Sequence, residues 1–268
     1  MVTKNIRIAI SGMLGRIGSL LIQETQKIKN IQLTIAISKN IEQHINNDVT
    51  FINQLKNNNI TIVNSLNEEN NNFDILIDFT HPSKTIEYLK YCIKHNKKIV
   101  IGTTGFNKEE KEIINAASQK IGLVYSSNFS IGMNTMYKLI QKTTENIGNN
   151  SDIAIIESHH NQKKDKPSGT AITIKEIILK TLNSKKKTSL NYNKINRQQK
   201  KTIDISSLRL GDVHGDHTVI YSSIGERIEI THRANNKLIF AHGAIQAAIW
   251  LYEQKPGLYT MENVLNTL

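Results

Sequence analysis

The sequence predicts an α/β protein: a doubly wound parallel sheet, followed by a second α+β domain. Three observations carry this reading. Short, almost wholly apolar strands alternate with helical patterns through the first half of the chain, as expected of a parallel sheet covered on both faces. Gly12, Gly15 and Gly18, three of only 14 glycines, fall between the first strand and the first helix. Beyond about residue 150 the pattern changes to strands with little helix, one of them alternating in polarity.

The elements follow in order. "IRIAIS" (6–11) is the first strand, and after "GMLGRIG" the apolar Ile17, Leu20, Leu21 and Ile28 recur at helical spacing. "IQLTIAIS" (31–38), "FDILIDFT" (73–80), "KIVIGTT" (98–104) and "GLVYSS" (122–127) are four further strands. Residues 83–95 and 108–120 read as helices between them. The second has acids at its start and a lysine at its end, as the helix dipole favours. "SDIAIIES" (151–158) is the next strand. A long helix over 170–182, a charged loop and the strands "IDISSLRL", "HTVIYSS" and "ERIEITHR" follow. In the last, Arg227, Glu229 and Thr231 share one face and Ile228 and Ile230 the other, so this sheet has a wet or partner-facing side. A final apolar helix over 241–254 is expected to pack back on the first domain. The expected division is 1–129 completed by 240–268 for the doubly wound domain, and 130–239 for the α+β domain.

Bulk properties narrow the function. The chain has 268 residues, 38% of them hydrophobic, which is ample for a packed core. No apolar run approaches the ~18 residues of a membrane span, and the opening "MVTKNIRIAISG" lacks the apolar stretch of a signal peptide, so no cleaved leader is expected. The single cysteine, Cys92, cannot form an internal disulfide, which fits a reducing cytoplasm and a small buried hydrophobe. The net charge of +11 suits anionic partners. The lysines, however, are scattered among abundant Asn and Ile, as on a solvated surface. The densest run, 185–201, carries one aromatic, Tyr192, and no stacking platform for nucleic-acid bases. A cytoplasmic protein with a small-molecule partner, and with neither nucleic acid nor membrane as partner, is expected.

The glycine turn has a physical rationale. A tight turn needs φ > 0, a pyrophosphate approaches closely only a backbone without Cβ, and a helix N-terminus supplies amides and partial positive charge. Gly12, Met13, Leu14, Gly15, Arg16 and Ile17 are therefore cofactor candidates; a purely structural turn is the alternative, as a surface arginine is for Arg16. An acid at the end of the second strand would bind the ribose 2′-OH of NAD. Here stand Ser38 and Lys39, so the 2′-phosphate of NADPH is favoured over NADH. "GTTG", with Gly102, Thr103 and Thr104, and "SSNFS", with Ser126, Ser127, Asn128 and Phe129, follow the fourth and fifth strands, where ligands of such sheets collect. Phe129 packs on a nicotinamide ring or belongs to the core at the domain hinge.

The block "ESHHNQKKDKPSGTA" (157–171) joins a strand to a helix. Ser168, Gly169 and Thr170 occupy the N-cap and first turn, where hydroxyls and free amides bind carboxylate. His159, His160, Lys163 and Lys164 stand just upstream, and a histidine beside a dianion has its charged form favoured, as a general acid requires. A solvated loop before a well-capped helix is the plain alternative. Zinc has little support: adjacent histidines diverge, and no cysteine or H-x-x-x-H pair accompanies them. "DVHGDHT" (212–218), with Asp212, His214, Asp216 and His217, reads as a turn between strands.

Together "ISGMLGRIG", "DFTHP", "VIGTTGF", "SSNFSIGMN", "ESHHNQKKDKPSGTA", "LRLGDVHGDHTV" and "GERIEITHRA" resemble, in order and over nearly the whole chain, the signature blocks of the 4-hydroxy-tetrahydrodipicolinate (dihydrodipicolinate) reductase family. The resemblance implies a Rossmann-like domain for NADPH or NADH, a substrate domain, and a homotetramer built through the substrate-domain sheets. It implies reduction of 4-hydroxy-tetrahydrodipicolinate in diaminopimelate and lysine biosynthesis. By match, His159 is the proton donor, Lys163 a second donor or electrostatic partner, and His160, Gly169 and Thr170 bind the substrate carboxylates. The cofactor lies on 12–17, 102–104 and 126–129. Two departures stand out. Ser38-Lys39 replaces the acid and arginine of many relatives, which bears on dual cofactor use, and "SSNFS" replaces a frequent Ala-Pro-Asn-Phe-Ser. A related two-domain dehydrogenase would share the glycine turn but not the 157–171 block. A non-catalytic dinucleotide sensor or a nucleic-acid-binding protein is the rival from outside the enzymes.

Overall fold

The computed structural model of the chain describes residues 5–39, 55, 58–186 and 203–266. The chain forms two compact units, Met1–Ile131 with Lys237–Leu268, and Gly132–Asn236.

The first unit is a seven-stranded parallel sheet. Its strands are β1 (Ile6–Ser11), β2 (Ile31–Ile37), β3 (Thr61–Val63), β4 (Ile75–Asp78), β5 (Lys98–Ile101), β6 (Gly122–Tyr125) and β11 (Gly257–Tyr259), in the spatial order β11-β6-β5-β4-β1-β2-β3. The order reverses between β1 and β4, which is the doubly wound arrangement the sequence predicts, with a ligand crevice expected at the carboxyl ends there. Alternation within strands supplies both faces. Ile8 and Ile10 join Ile75, Ile77, Val100 and Val124 on one side. Ala9 joins Ile35, Ile37, Leu76, Ile99, Ile101 and Leu123 on the other. The first face is covered by α1 (Gly18–Thr25), α6 (Leu238–Tyr252) and α7 (Met261–Leu265), and the second by α2 (Pro82–Lys94) and α3 (Lys108–Ser118). α3 starts in a capping box between Asn107 and Glu110, which satisfies two of the free helix-end amides. Cys92 is fully buried on α2, and burial pushes its thiol pKa up.

One lysine secures the returning helix. Lys98 Nζ, at the start of β5, donates to the carbonyls of Leu251 (3.0 Å), Tyr252 and Gln254 (2.7 Å) at the end of α6. These carbonyls lie at the C-terminal end of the helix, where a cation suits the negative end of the helix dipole. Lys98→Met is expected to lower the unfolding free energy by about 1–2 kcal/mol, seen as a lower urea midpoint at an unchanged slope.

The second unit is a four-stranded sheet with two helices on one face. The strands are β7 (Asp152–His159), β8 (Asp204–Arg209), β9 (Asp216–Ser223) and β10 (Glu226–Arg233), in the order β10-β9-β7-β8. The helices are α4 (Ile131–Ile147) and α5 (Gly169–Lys186). Met133, Met136 and Ile140 of α4, and Ala171, Ile174, Ile178 and Leu182 of α5, pack on Ile153, Ile155, Val219 and Tyr221. Among the described residues, no helix covers the other face of the sheet. That face carries Ile156, 37% exposed, and Leu208, 45% exposed, together with Thr218 and Thr231, whose hydroxyls lie 3.0 Å apart. β10 is an edge strand. Its Ile228 lies on the helix-bearing side, opposite Tyr221, yet is 43% exposed.

Several elements differ from the sequence reading. β3 and β11 are three-residue strands that the pattern does not announce, and α4 was not anticipated. α1 ends at Thr25, before Ile28. The turn expected over 212–218 stops earlier, since Asp216 and His217 are the first residues of β9. Most of the lysine-rich run, 187–201, lies outside the described residues.

Candidate active site

The carboxyl ends of the parallel strands carry the cofactor candidates. Ser11 ends β1, and Gly12 follows with φ +69°, a value that L side chains rarely adopt. The turn closes with Gly15 N–H donating to Gly12 C=O (2.8 Å) and Met13 N–H to Ile37 C=O (3.1 Å). Gly18 opens α1 so close to this turn that a Cβ there would lie 2.0 Å from the Gly12 carbonyl oxygen. Met13 is buried, Leu14 and Ile17 are half-buried, and Gly15 and Arg16 are exposed. Half-buried Ser38 and exposed Lys39 follow β2.

Gly102, Thr103 and Thr104 follow β5, and Ser126, Ser127, Asn128 and Phe129 follow β6. Gly102 backs onto the Phe79 ring, leaving no room for a side chain. Thr104 and Ser127 are exposed, and Ser126 and Asn128 are half-buried. The Phe129 ring is buried in the first unit's core, 5.4 Å from the Phe79 ring.

Beneath these loops sits a residue the sequence reading passed over. Asp78 ends β4 with no exposure. Its carboxylate accepts from Ser11 Oγ (2.5 Å), Thr80 Oγ1 (2.7 Å), Thr85 Oγ1 (2.5 Å) and Thr103 Oγ1 (3.0 Å). Thr103 Oγ1 in turn accepts from the Thr80 amide at 2.9 Å. One buried acid thus ties together β1, the β4–α2 loop, α2 and the loop after β5. An acid closing the apolar run "ILID" was the available signal.

In the second unit, strand pairing assembles a polar cluster at the end of β7. Period-two alternation puts Ile153, Ile155, Glu157 and His159 on the buried face. Parallel pairing with β8 sets Arg209 beside His159, and antiparallel pairing with β9 sets His217 opposite Glu157. Glu157 is 0%, His217 4% and His159 7% exposed. Glu157 accepts from His159 Nδ1, from Arg209 Nη1 (3.0 Å) and from the Ser168 amide (3.3 Å). Burial pushes the Glu157 pKa up, but hydrogen bonds from Ser207, Arg209 and His159 hold it below the usual carboxylate value. Burial lowers the His159 pKa, and Glu157 offsets part of that. Burial and the neighbouring His159 push His217 down to about 4, so it is neutral at pH 7.

The remaining candidates surround this cluster. His160 is half-buried where β7 ends. Lys163 pairs with Asp165 at 2.9 Å. Ser168 is buried as the N-cap of α5. Its hydroxyl accepts from the Ala171 amide (3.2 Å) and lies 3.2 Å from His217 Nε2. Exposed Gly169 and half-buried Thr170 form the open first turn. Glu157, His159 and His217 bring their donor atoms within 4.8 Å of one another. The Arg209 guanidinium already holds the carboxylate, however, so the chemistry is that of a hydrogen-bonded chain and not of a cation cage.

Comparison with known proteins decides the family. The model described as dihydrodipicolinate reductase, N-terminus, matches residues 6–129, and the one described as dihydrodipicolinate reductase, C-terminus, matches 132–265. The chain belongs to the dihydrodipicolinate reductase family. Within the dihydrodipicolinate reductases, it is 47% identical over 266 residues to the 4-hydroxy-tetrahydrodipicolinate reductase of Buchnera aphidicola subsp. Acyrthosiphon pisum (strain 5A), covering 98% of this chain and 99% of the relative. It is 44% identical over 271 residues to that of Blochmanniella pennsylvanica (strain BPEN), covering 97% and 96%. The solved structure of a dipicolinate-bound dihydrodipicolinate reductase from Paenisporosarcina sp. TG-14 superposes with a TM-score of 0.76 at 26% identity, over 97% of this chain and 99% of that one. A scyllo-inositol dehydrogenase from Lactobacillus casei, with a TM-score of 0.56 and 13% identity over 98% and 93% of the two chains, shares the fold alone.

Proposed function

We propose that this chain reduces 4-hydroxy-tetrahydrodipicolinate to tetrahydrodipicolinate with NADPH or NADH, releasing water, in the diaminopimelate–lysine pathway. The observation that carries the reading is His159, buried in the second unit and held by Glu157 beside the open N-terminus of α5, in a chain matched by both family models.

The first unit fits a nicotinamide dinucleotide. A positive-φ glycine and a helix start too tight for any Cβ leave bare backbone where a pyrophosphate would lie. Residues 12–17, 102–104 and 126–129 would hold it. Exposed Lys39, with no acid beside it, suits a 2′-phosphate, so NADPH is the preferred form. When bound, the nicotinamide would supply a hydride to ring C4, whose hydroxyl would leave as water. His159 delivers the proton that the reaction consumes. Lys163 leaves Asp165 for the dianionic substrate, and His160, Gly169 and Thr170 receive its carboxylates, with the N-cap at Ser168 holding that turn in shape.

The test is binding of dipicolinate, a planar ring dicarboxylate. Calorimetry is expected to show one site per chain, weakened about 10-fold or more in Lys163→Met. No binding by the folded protein would refute the carboxylate site.

The protein works as a cytoplasmic homotetramer built through the open sheet face. The apolar Ile156 and Leu208 among polar neighbours support this, since such a face on an edge-bearing sheet favours a partner. Ile156→Glu is expected to give smaller species by light scattering. An unchanged mass would place the interface elsewhere.

A further inference from the structure

We infer that Glu157 is a positioning residue for the reaction: clamped by Arg209, its carboxylate fixes His159 in one tautomer, with Nδ1–H inward and Nε2 toward Gly215. This rests on the reading of His159 as proton donor.

A carboxylate with no exposure is costly to bury unless it is paired and hydrogen-bonded. Here the pairing comes from three separate segments. Arg209 lies on β8, the Ser168 amide precedes α5, and His159 lies two residues along β7. An ion pair with Arg209 alone would neutralise Glu157. The added histidine contact settles which imidazole nitrogen carries the hydrogen. With Nδ1–H given to Glu157, Nε2 is the nitrogen left to exchange a proton.

The opposite side of the ring supports this. A Cβ on Gly215 would lie 3.1 Å from His159 Nε2 and 3.4 Å from Cδ2. Glycine there keeps side-chain bulk away from that nitrogen. Arg209 has a second task. Its Nε donates to the Lys163 carbonyl (3.3 Å) and its Nη2 to that of Asp165 (2.5 Å). The guanidinium that holds Glu157 therefore also holds the loop bearing Lys163, through carbonyl contacts that do not require a charge at residue 157.

The charges facing His159 set the sign. Lys163 and Arg209 disfavour its protonated form. His217 on β9, ring centroid 5.1 Å away, is neutral at pH 7, and His232 on β10 acts on His217. Against the cations stands Glu157, which favours imidazolium. Removing its charge lowers the His159 pKa further, so the acid form is lost at lower pH.

Steady-state kinetics of Glu157→Gln across pH test this, beside dipicolinate calorimetry on the same protein. The expected result is a kcat lowered about 100-fold, a substrate KM and dipicolinate affinity within about 3-fold of the parent, and an alkaline limb moved to lower pH. An unchanged kcat and limb would make Glu157 a structural anchor only and overturn the proposal. Failure of the proton-donor reading is distinguishable, because His159→Gln would then leave kcat and the limb unaltered. Should Glu157→Gln not fold, nitrogen NMR of histidine-labelled parent protein decides, with His159 assigned by its loss in His159→Gln. The neutral ring is expected to carry hydrogen on Nδ1, and hydrogen on Nε2 would overturn the proposal.

Discussion

His159→Gln is expected to lower kcat by about 10²- to 10⁴-fold, the share a positioned general acid contributes, while the affinity for NADPH stays within about 2-fold. The split follows from the fold. His159 ends β7 in the second unit, whereas the glycine turn and the loops after β5 and β6 belong to the first. Glutamine preserves polarity and approximate size, but its amide does not release a proton near neutral pH. In the parent enzyme, burial keeps the His159 pKa below the ordinary imidazole value, with Glu157 opposing. The free enzyme therefore loses the acid form as pH rises through that lowered value, and kcat/KM declines on the alkaline side. A bound dianion favours the charged ring, so the decline in kcat lies at higher pH than that in kcat/KM. Both limbs should vanish in His159→Gln. Unaltered turnover in that variant would remove His159 from the acid role.

Gly18→Ala is expected to abolish measurable cofactor binding, or to weaken it at least about 10-fold, equivalent to about 1.4 kcal/mol. A Cβ at residue 18 would lie 2.0 Å from the Gly12 carbonyl oxygen and 2.7 Å from its carbon. Both are backbone atoms, so relief requires opening the turn, which moves the amides from the position a pyrophosphate needs. Fluorescence titration with NADPH reads the loss. Dipicolinate calorimetry supplies the control, because the second unit has its own core and should bind as before. Retained NADPH affinity would mean that the cofactor does not lie on residues 12–17.

The strong elements of the fold are legible in the sequence for a physical reason. β1, β4 and β5 are buried on both faces, so apolar runs mark them without ambiguity. β3 and β11 are three residues long and largely exposed or half-buried at the sheet's two edges, so they have no apolar run to show. α4 was legible in principle, with Met133, Met136 and Ile140 at helical spacing. The candidate site divides in the same way. His159, Lys163 and the α5 cap lie within one continuous block. Glu157 lies in it too, and alternation along β7 places it on the face of His159. Arg209 and His217 reach the cluster only through pairing with β8 and β9, a long-range register that no local pattern contains. Asp78 collects hydroxyls from four separate segments, and nothing short of the folded sheet brings those together.

The most direct test of the central claim is cofactor oxidation with substrate generated in situ, from pyruvate and aspartate semialdehyde, by the synthase that precedes this step. NADPH and NADH are run side by side. Turnover that depends on the synthase is expected, with NADPH the better cofactor because Lys39 stands where an acid would select NADH. No turnover with either cofactor, from folded protein that binds NADPH, would contradict it.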